Sequence, residues 1–240
     1  MGLELLDLLN GTFSLIFVII STIVGLITTL KYLKTHNRVL IWIGFTWILI
    51  SHPWWPSALS TFIALATGQG LSLGFYLLIG NFFVPFFVFL LVGAFTEIYF
   101  HEKQLIILLI VGIIGVLIDI YIVFYIIVDP TVLGELQGIV DIEFKGFLRI
   151  YLILVIILTL TIGLCIGINS YKSENPEIRW RGRFLILAFI SWAVGAICDA
   201  SITLNFITLP LIRILLISSA IEFYLGFVMP DWIKNRLIKE

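Results

Sequence analysis

The sequence predicts an all-α, polytopic membrane protein: one bundle of seven transmembrane helices covering residues 1–240. Three observations lead there. The chain is 61% hydrophobic and only 12% charged, with a mean hydropathy of +1.16; soluble domains run nearer half apolar and a quarter charged. Apolar runs recur at about the 20 residues that a helix needs to cross a bilayer core. Lysine and arginine cluster in alternate connections, which sets an orientation.

The predicted spans are 12–33, 39–66, 71–96, 105–128, 147–170, 184–208 and 210–229. The first follows an N-terminus that carries Glu4 and Asp7 and lacks a basic n-region, so it reads as a retained helix and not a cleaved signal. Connections at "TGQG" (67–70) and around Leu209-Pro210 are tight, as Gly and Pro allow between antiparallel neighbours. One set of connections carries Lys31, Lys34, Arg38, Lys103, Lys172, Arg179, Arg181, Arg183, Lys234, Arg236 and Lys239. The other carries Glu4, Asp7, Asp129, Glu135, Asp141 and Glu143 against only Lys145 and Arg149. The bias places the N-terminus outside and the C-terminus in the cytoplasm of a multi-pass cell-membrane protein. Asn10-Gly11-Thr12 matches a glycosylation sequon on the outer side, but it lies too close to the first span to be used.

The net charge of −1 offers no basic face for nucleic acid. Cys165 and Cys198 both sit in apolar segments and imply no disulfide framework. The isoleucine-rich stretches suggest a prokaryotic source.

The second span holds "SHPWWP" at 51–56. Split at Pro53, its first part is too short to cross, so 39–66 reads as one long bent or tilted helix. Pro53 frees the carbonyl of Leu49 and Pro56 that of His52. In hydrocarbon those groups must face the bundle interior or a small wet cavity. Trp54 and Trp55 would fill the wedge, either as structural packing or as part of a ligand pocket. In the third span Pro85 frees the carbonyl of Asn81, repeating the device.

Ionisable residues within a span are functional candidates. At about 1.5 Å rise per residue, His52, Asn81, Asp119, Asp199 and Glu222 all fall in the middle layer of five helices. Arg213, one turn inside the outer end of the seventh helix, is the counter-charge, reaching toward Asp199 or Asn205 or snorkelling outward. With Trp54, Trp55 and Trp192 these residues form the candidate ligand site. The alternative is that the polar groups lock helices together. Small-xxx-small pairs, Gly163/Gly167 and Ala196/Ala200, serve packing within the chain or a homodimer.

Between the fourth and fifth spans, "IVDIEFK" alternates apolar and charged residues downstream of Gly134 and Gly138. This predicts a short β-hairpin at the outer mouth, as a lid or as a strip lying on lipid. The tail 230–240 predicts a short amphipathic helix on the inner membrane surface.

The topology resembles that of microbial rhodopsins and G-protein-coupled receptors. Rhodopsins hold retinal through a lysine in the seventh helix; "RILLISSAIEFYLGF" has Ser218 and Ser219 there, so no retinal or other cofactor is expected. The receptors' third-helix arginine motif is missing from "FTEIYFH". No hydrolase elbow, zinc-protease motif or phosphate loop is present, so no enzyme is expected. In size, topology and the exit "MPDWIKNRL" the chain resembles the seven-helix sensor module of some prokaryotic histidine kinases. That resemblance implies a sensor binding a small or lipidic ligand within the bundle and signalling to a cytoplasmic partner. The alternative is a small proton-linked transporter working through the mid-membrane acids.

Overall fold

The computed structural model describes residues 3–238. Lys239 and Glu240, the end of the predicted tail, lie outside them. Helix α1 (Leu5–Leu30) starts seven residues ahead of the predicted span. A capping box explains this: the Glu4 backbone N–H donates to Asp7 Oδ2 at 3.0 Å, and the Glu4 side chain caps in return. A one-turn helix, α2 (Tyr32–Thr35), prolongs it.

The single helix expected over 39–66 is two helices. α3 (Val39–Ile50) and α4 (Trp55–Thr67) are joined by one 3-10 turn, His52–Trp54. Pro53 and Pro56 withhold two donors within four residues, so the α ladder cannot continue through them. The ends are closed locally: the Ser51 backbone N–H turns back to Leu49 O, and Trp54 N donates to Ser51 O at 3.1 Å. The third segment repeats the device more mildly, as α5 (Leu73–Asn81) and α6 (Val84–Tyr99) around Pro85.

α7 (Gln104–Val128) leads to the hairpin, β1 (Gly134–Gln137) paired antiparallel with β2 (Asp141–Phe144). Gly138 takes φ +77° in its turn, a conformation that favours glycine. α8 (Gly146–Tyr171), α9 (Pro176–Ser201) and α10 (Thr208–Phe227) follow, with α11 (Asp231–Leu237) in the tail. α9 begins eight residues before the predicted span because Asn175 caps it. It ends seven residues early, so the connection to α10 is 202–207 and not Leu209-Pro210. Asn205 Oδ1 accepts from Ile207 N and Thr208 N at 2.8 and 2.9 Å and starts α10 there. Pro210 then falls in the first turn of α10, where no donor is needed.

Among the described residues, six helices are long and apolar enough to cross a membrane: Leu5–Thr35, Leu73–Tyr99, His101–Val128, Gly146–Tyr171, Pro176–Ser201 and Thr208–Phe227. The chain is thus a multi-pass membrane protein. The broken segment α3–α4 is too short in either half for that criterion.

α1 and α3–α4 run antiparallel in close contact along their length. A Cβ on Gly44 would stand 2.6 Å from the carbonyl of Gly25. Phe17 meets Trp54 edge-on at 5.1 Å between ring centroids, and a Cβ on Gly11 would clash with Thr61. α8 crosses α9 through the predicted glycines. Gly163 lies against Phe189, and Gly167 against Ile186 and Gly182, so these glycines serve packing within the chain. α10 packs between α9 and α1 and closes the bundle. α7 is peripheral: only Leu108, Gly115 and Ile122 are buried.

The two ends differ. At one, the backbone carbonyl of Phe227, ending α10, accepts from Lys31 Nζ at 2.9 Å and Arg181 Nη1 at 3.5 Å. There Glu177 pairs with Arg181 and, at 2.6 Å, with Lys234 of α11. This is the basic end. The hairpin caps the other.

Candidate functional site

The hairpin end is built around Arg213. This side chain is 1% exposed, one of the largest fully buried groups in the protein. Its Nη1 lies 2.7 Å from Asp199 Oδ1 on α9. Its Nη2 donates to Asn10 Oδ1 on α1, also at 2.7 Å. The Nη1–Oδ1 approach is off the hydrogen-bond direction, so it is a charge contact, and Nε has no acceptor among the described residues. The other oxygen of Asp199, Oδ2, accepts from Trp54 Nε1 at 2.8 Å. One ion pair therefore ties together α1, the 3-10 turn, α9 and α10.

The hairpin lies over this cluster and is pinned to the bundle. Its turn buries Val140, and Leu133 is buried where the loop enters β1. Ser60 Oγ of α4 donates to Ile139 O at 2.6 Å and accepts from Leu71 N at 2.9 Å. Tyr76 of α5 donates its hydroxyl to Val140 O at 2.9 Å, and that hydroxyl also meets Ser57 Oγ at 2.7 Å. The hairpin is a seated lid, so of the two predicted placements the strip on lipid is replaced. Buried Leu133 and Val140, with main-chain hydrogen bonds to α4 and α5, hold it down.

Asp141 of β2 carries this geometry into its titration. Burial, and then the Asp199 carboxylate, raise its pKa to about 6, with Asp7 adding and Arg213 opposing. A hydrogen bond from Ile142 N at 2.9 Å also opposes the rise. Asp199 of α9 and Asp141 of the hairpin thus both act on one arginine, with Asp7 of α1 near Asp141.

The predicted site residues divide. Trp54, Asp199 and Arg213 converge. Arg213 takes Asp199 from the predicted partners; Asn205 is used in capping. His52 instead packs on Trp55 and Phe83, at 5.5 and 4.8 Å between ring centroids. Trp55 lines a lateral groove with Leu15, Ile19, Leu59 and Phe62 that opens between α1 and α4. Asn81 is buried but donates to Leu77 O of its own helix at 2.9 Å, leaving Oδ1 unpaired among the described residues. Trp192 is buried, and its Nε1 lacks an acceptor among the described residues. Glu222 lies deeper on α10 beside Ser191 and Ser218. Asp119 is out on α7. The five polar residues expected in one layer therefore do not gather in one cluster: Asp199 joins Arg213 and Trp54, while His52, Asn81, Asp119 and Glu222 have other surroundings.

Two residues escaped the sequence reading. In the sequence Asn10 reads only as part of a sequon too near the first span to be used; it is 3% exposed and bonded to Arg213. Its role follows from a helix start at Leu5, which puts it about one and a half turns inside α1 and not ahead of the span. Tyr76 was not singled out, because a tyrosine near a span end is ordinary in membrane proteins. Among the described residues no three His, Cys, Asp or Glu side chains are close enough to hold a metal ion.

Comparison of the chain with protein-family models, with curated proteins and with solved structures finds no match.

Proposed function

We propose that the protein is a seven-helix sensor of the cell membrane, N-terminus outside, in which a small ligand taken up beneath the hairpin alters the cytoplasmic end. The seventh crossing is α3–α4. Its support is the antiparallel contact with α1 from Gly25/Gly44 to Gly11/Thr61, together with the ends it joins. Lys31 at the end of α1 touches the basic end, whereas Ser60 on α4 and Tyr76 on α5 touch the hairpin. A segment linking those ends traverses the bundle. The positive-inside bias then puts the hairpin outside.

The observation that carries the sensing role is that Asp199–Arg213 couples lid, kink and α10 at once. Arg213 Nε lacks an acceptor, so a ligand with an acceptor group has a donor waiting once the lid lifts. Below it, Trp47 on α3 stacks on Phe223 of α10 at 3.7 Å and meets Phe189 of α9 edge-on at 6.0 Å. Phe223 meets Phe227 at 4.8 Å, whose carbonyl holds Lys31 and Arg181. Rigid stacked groups ending on one charged cluster favour a two-state response over local relaxation.

Hydrogen exchange in lipid nanodiscs tests this. Asp199→Asn is expected to raise exchange in the hairpin and also in residues 224–237 at the far end. A change confined to residues 134–144 would refute coupling. The second reading, a proton-linked carrier, is favoured by Asp199 and Asp141 gathered about Arg213. It predicts that proteoliposomes dissipate an imposed pH gradient, read with an internal dye, and that Asp199→Asn stops this.

A further inference from the structure

At the basic end, the outer edge of the α8–α9 seam carries cations that the cluster above does not use. Arg183 lies about 10 Å along α9 from Pro176, at 1.5 Å per residue. It is the last charged residue before an apolar run that reaches Asp199, so it stands where the headgroup layer meets hydrocarbon. Its guanidinium carbon sits over the ring of Trp180, 4.3 Å from the centroid, and over that of Tyr171 on α8 at 5.6 Å. Close helix packing sets Tyr171 there, since a Cβ on Gly182 would clash with its backbone. A ring face attracts the charge but offers no lone pair, so the guanidinium donors still call for an acceptor. Arg179, one turn earlier, and Lys172, next to Tyr171, are exposed like Arg183 itself. No ion pair among the described residues includes any of the three. Glu174, in the turn between the helices, pairs with none of them, and Glu177 is taken by Arg181 and Lys234. Like charges one turn apart on a helix repel, so the edge is short of an anion.

We propose that this edge binds an anionic phospholipid, its phosphate on Arg183 with Arg179 and Lys172 flanking, and its acyl chains along α9. Two observations select that occupant. The cations are of one sign and lack counter-charges, and a guanidinium takes a phosphate in a two-pronged, charge-assisted hydrogen bond. Along the same face of α9, at four, seven, eleven and fourteen residues beyond Arg183, stand Leu187, Ile190, Val194 and Ile197, all exposed. A soluble phosphate or an acidic peptide satisfies the cations and leaves that apolar stripe uncovered; a phospholipid covers both. A zwitterionic lipid brings its own ammonium against three cations, which favours a headgroup with net negative charge. A second copy of this chain set edge to edge brings cations against cations.

The test uses the full chain in detergent micelles doped with dioleoyl phosphatidylglycerol or dioleoyl phosphatidylcholine, and counts retained lipid by native mass spectrometry. The glycerol lipid is expected to be retained about ten-fold more strongly than the choline lipid. Arg183→Gln is expected to lower that preference about five-fold, as is the pair Arg179→Gln and Lys172→Gln, which leaves the stacked guanidinium in place. Lys34→Gln removes an exposed cation of the basic end outside the seam, on α2, and is expected to keep the preference. Soluble glycerol phosphate at the same concentration is expected not to compete. Equal retention of the two lipids would overturn the proposal. So would an equal loss in Lys34→Gln and Arg183→Gln, which would mark diffuse attraction to the basic end. Competition by glycerol phosphate would overturn it as well and assign the edge to a soluble anion.

Discussion

Removing one member of the Arg213–Asp199 pair should cost far more than removing both. In Arg213→Gln, Asp199 keeps only the Trp54 hydrogen bond, and Asn10 loses its donor. Breaking a buried pair from one side costs about 3–5 kcal/mol, because the remaining charge is left uncompensated. Arg213 is wholly buried, but the Asp199 side chain is 18% exposed, so some water reaches the orphaned carboxylate. That places the single variant near the low end, about 3 kcal/mol. Asp199→Asn leaves an unpaired guanidinium in a drier position and should cost at least as much. The double variant removes both charges, leaving Trp54 Nε1 and Asn10 to find neutral partners, at about 1–2 kcal/mol. The expected coupling is therefore several kcal/mol, far outside additivity. Steric trapping or denaturant unfolding in bicelles measures all four corners of the cycle. Single variants that each cost under about 1 kcal/mol, or effects that simply add, would refute the view that this pair holds the hairpin end together.

The hairpin latches are separable: Ser60→Ala and Tyr76→Phe each remove two hydrogen bonds, one of them to the hairpin and worth about 1 kcal/mol, so amide exchange in residues 134–144 should quicken about five-fold in each. In the seated hairpin burial and Asp199 hold the Asp141 pKa at about 6, above the 3.8 of a free carboxyl, so a hairpin lifted into water would bind that proton less tightly. Closure is therefore strongest below the open-state value, weakens as pH rises through that window, and is weakest above it. Hairpin exchange followed across that range should show the dependence, and Asp141→Asn should flatten it. Gly44→Val should destabilise by more than the 1–3 kcal/mol of ordinary overpacking, because its side chain would meet the Gly25 backbone. Gly112→Ala, with Phe89 at an ordinary 3.7 Å, should be neutral in the same melting assay.

Sequence alone settled the solvent, the helical class and most of the element order. Hydrocarbon forces backbone hydrogen bonds to close within each segment, so twenty-residue apolar runs have few other outcomes. The hairpin was also legible, because a period of two beside Gly138 has a local cause. Helix ends were less so: Glu4 with Asp7, Asn175 and Asn205 shifted three boundaries through side-chain caps that hydropathy does not weigh. The Pro53/Pro56 pair was visible, but whether it bends a helix or divides it depends on the α1 packing that accommodates the 3-10 turn. The site belongs to tertiary structure almost entirely. Depth along a helix follows from counting residues. Direction around the helix does not, because nearly every face of these segments is apolar and no periodic stripe marks the inside. Only the packed bundle could send Asp199 and Trp54 toward Arg213, leave Asp119 apart from them on α7, and bring Asn10, 203 residues away in the chain, to complete the arginine's shell.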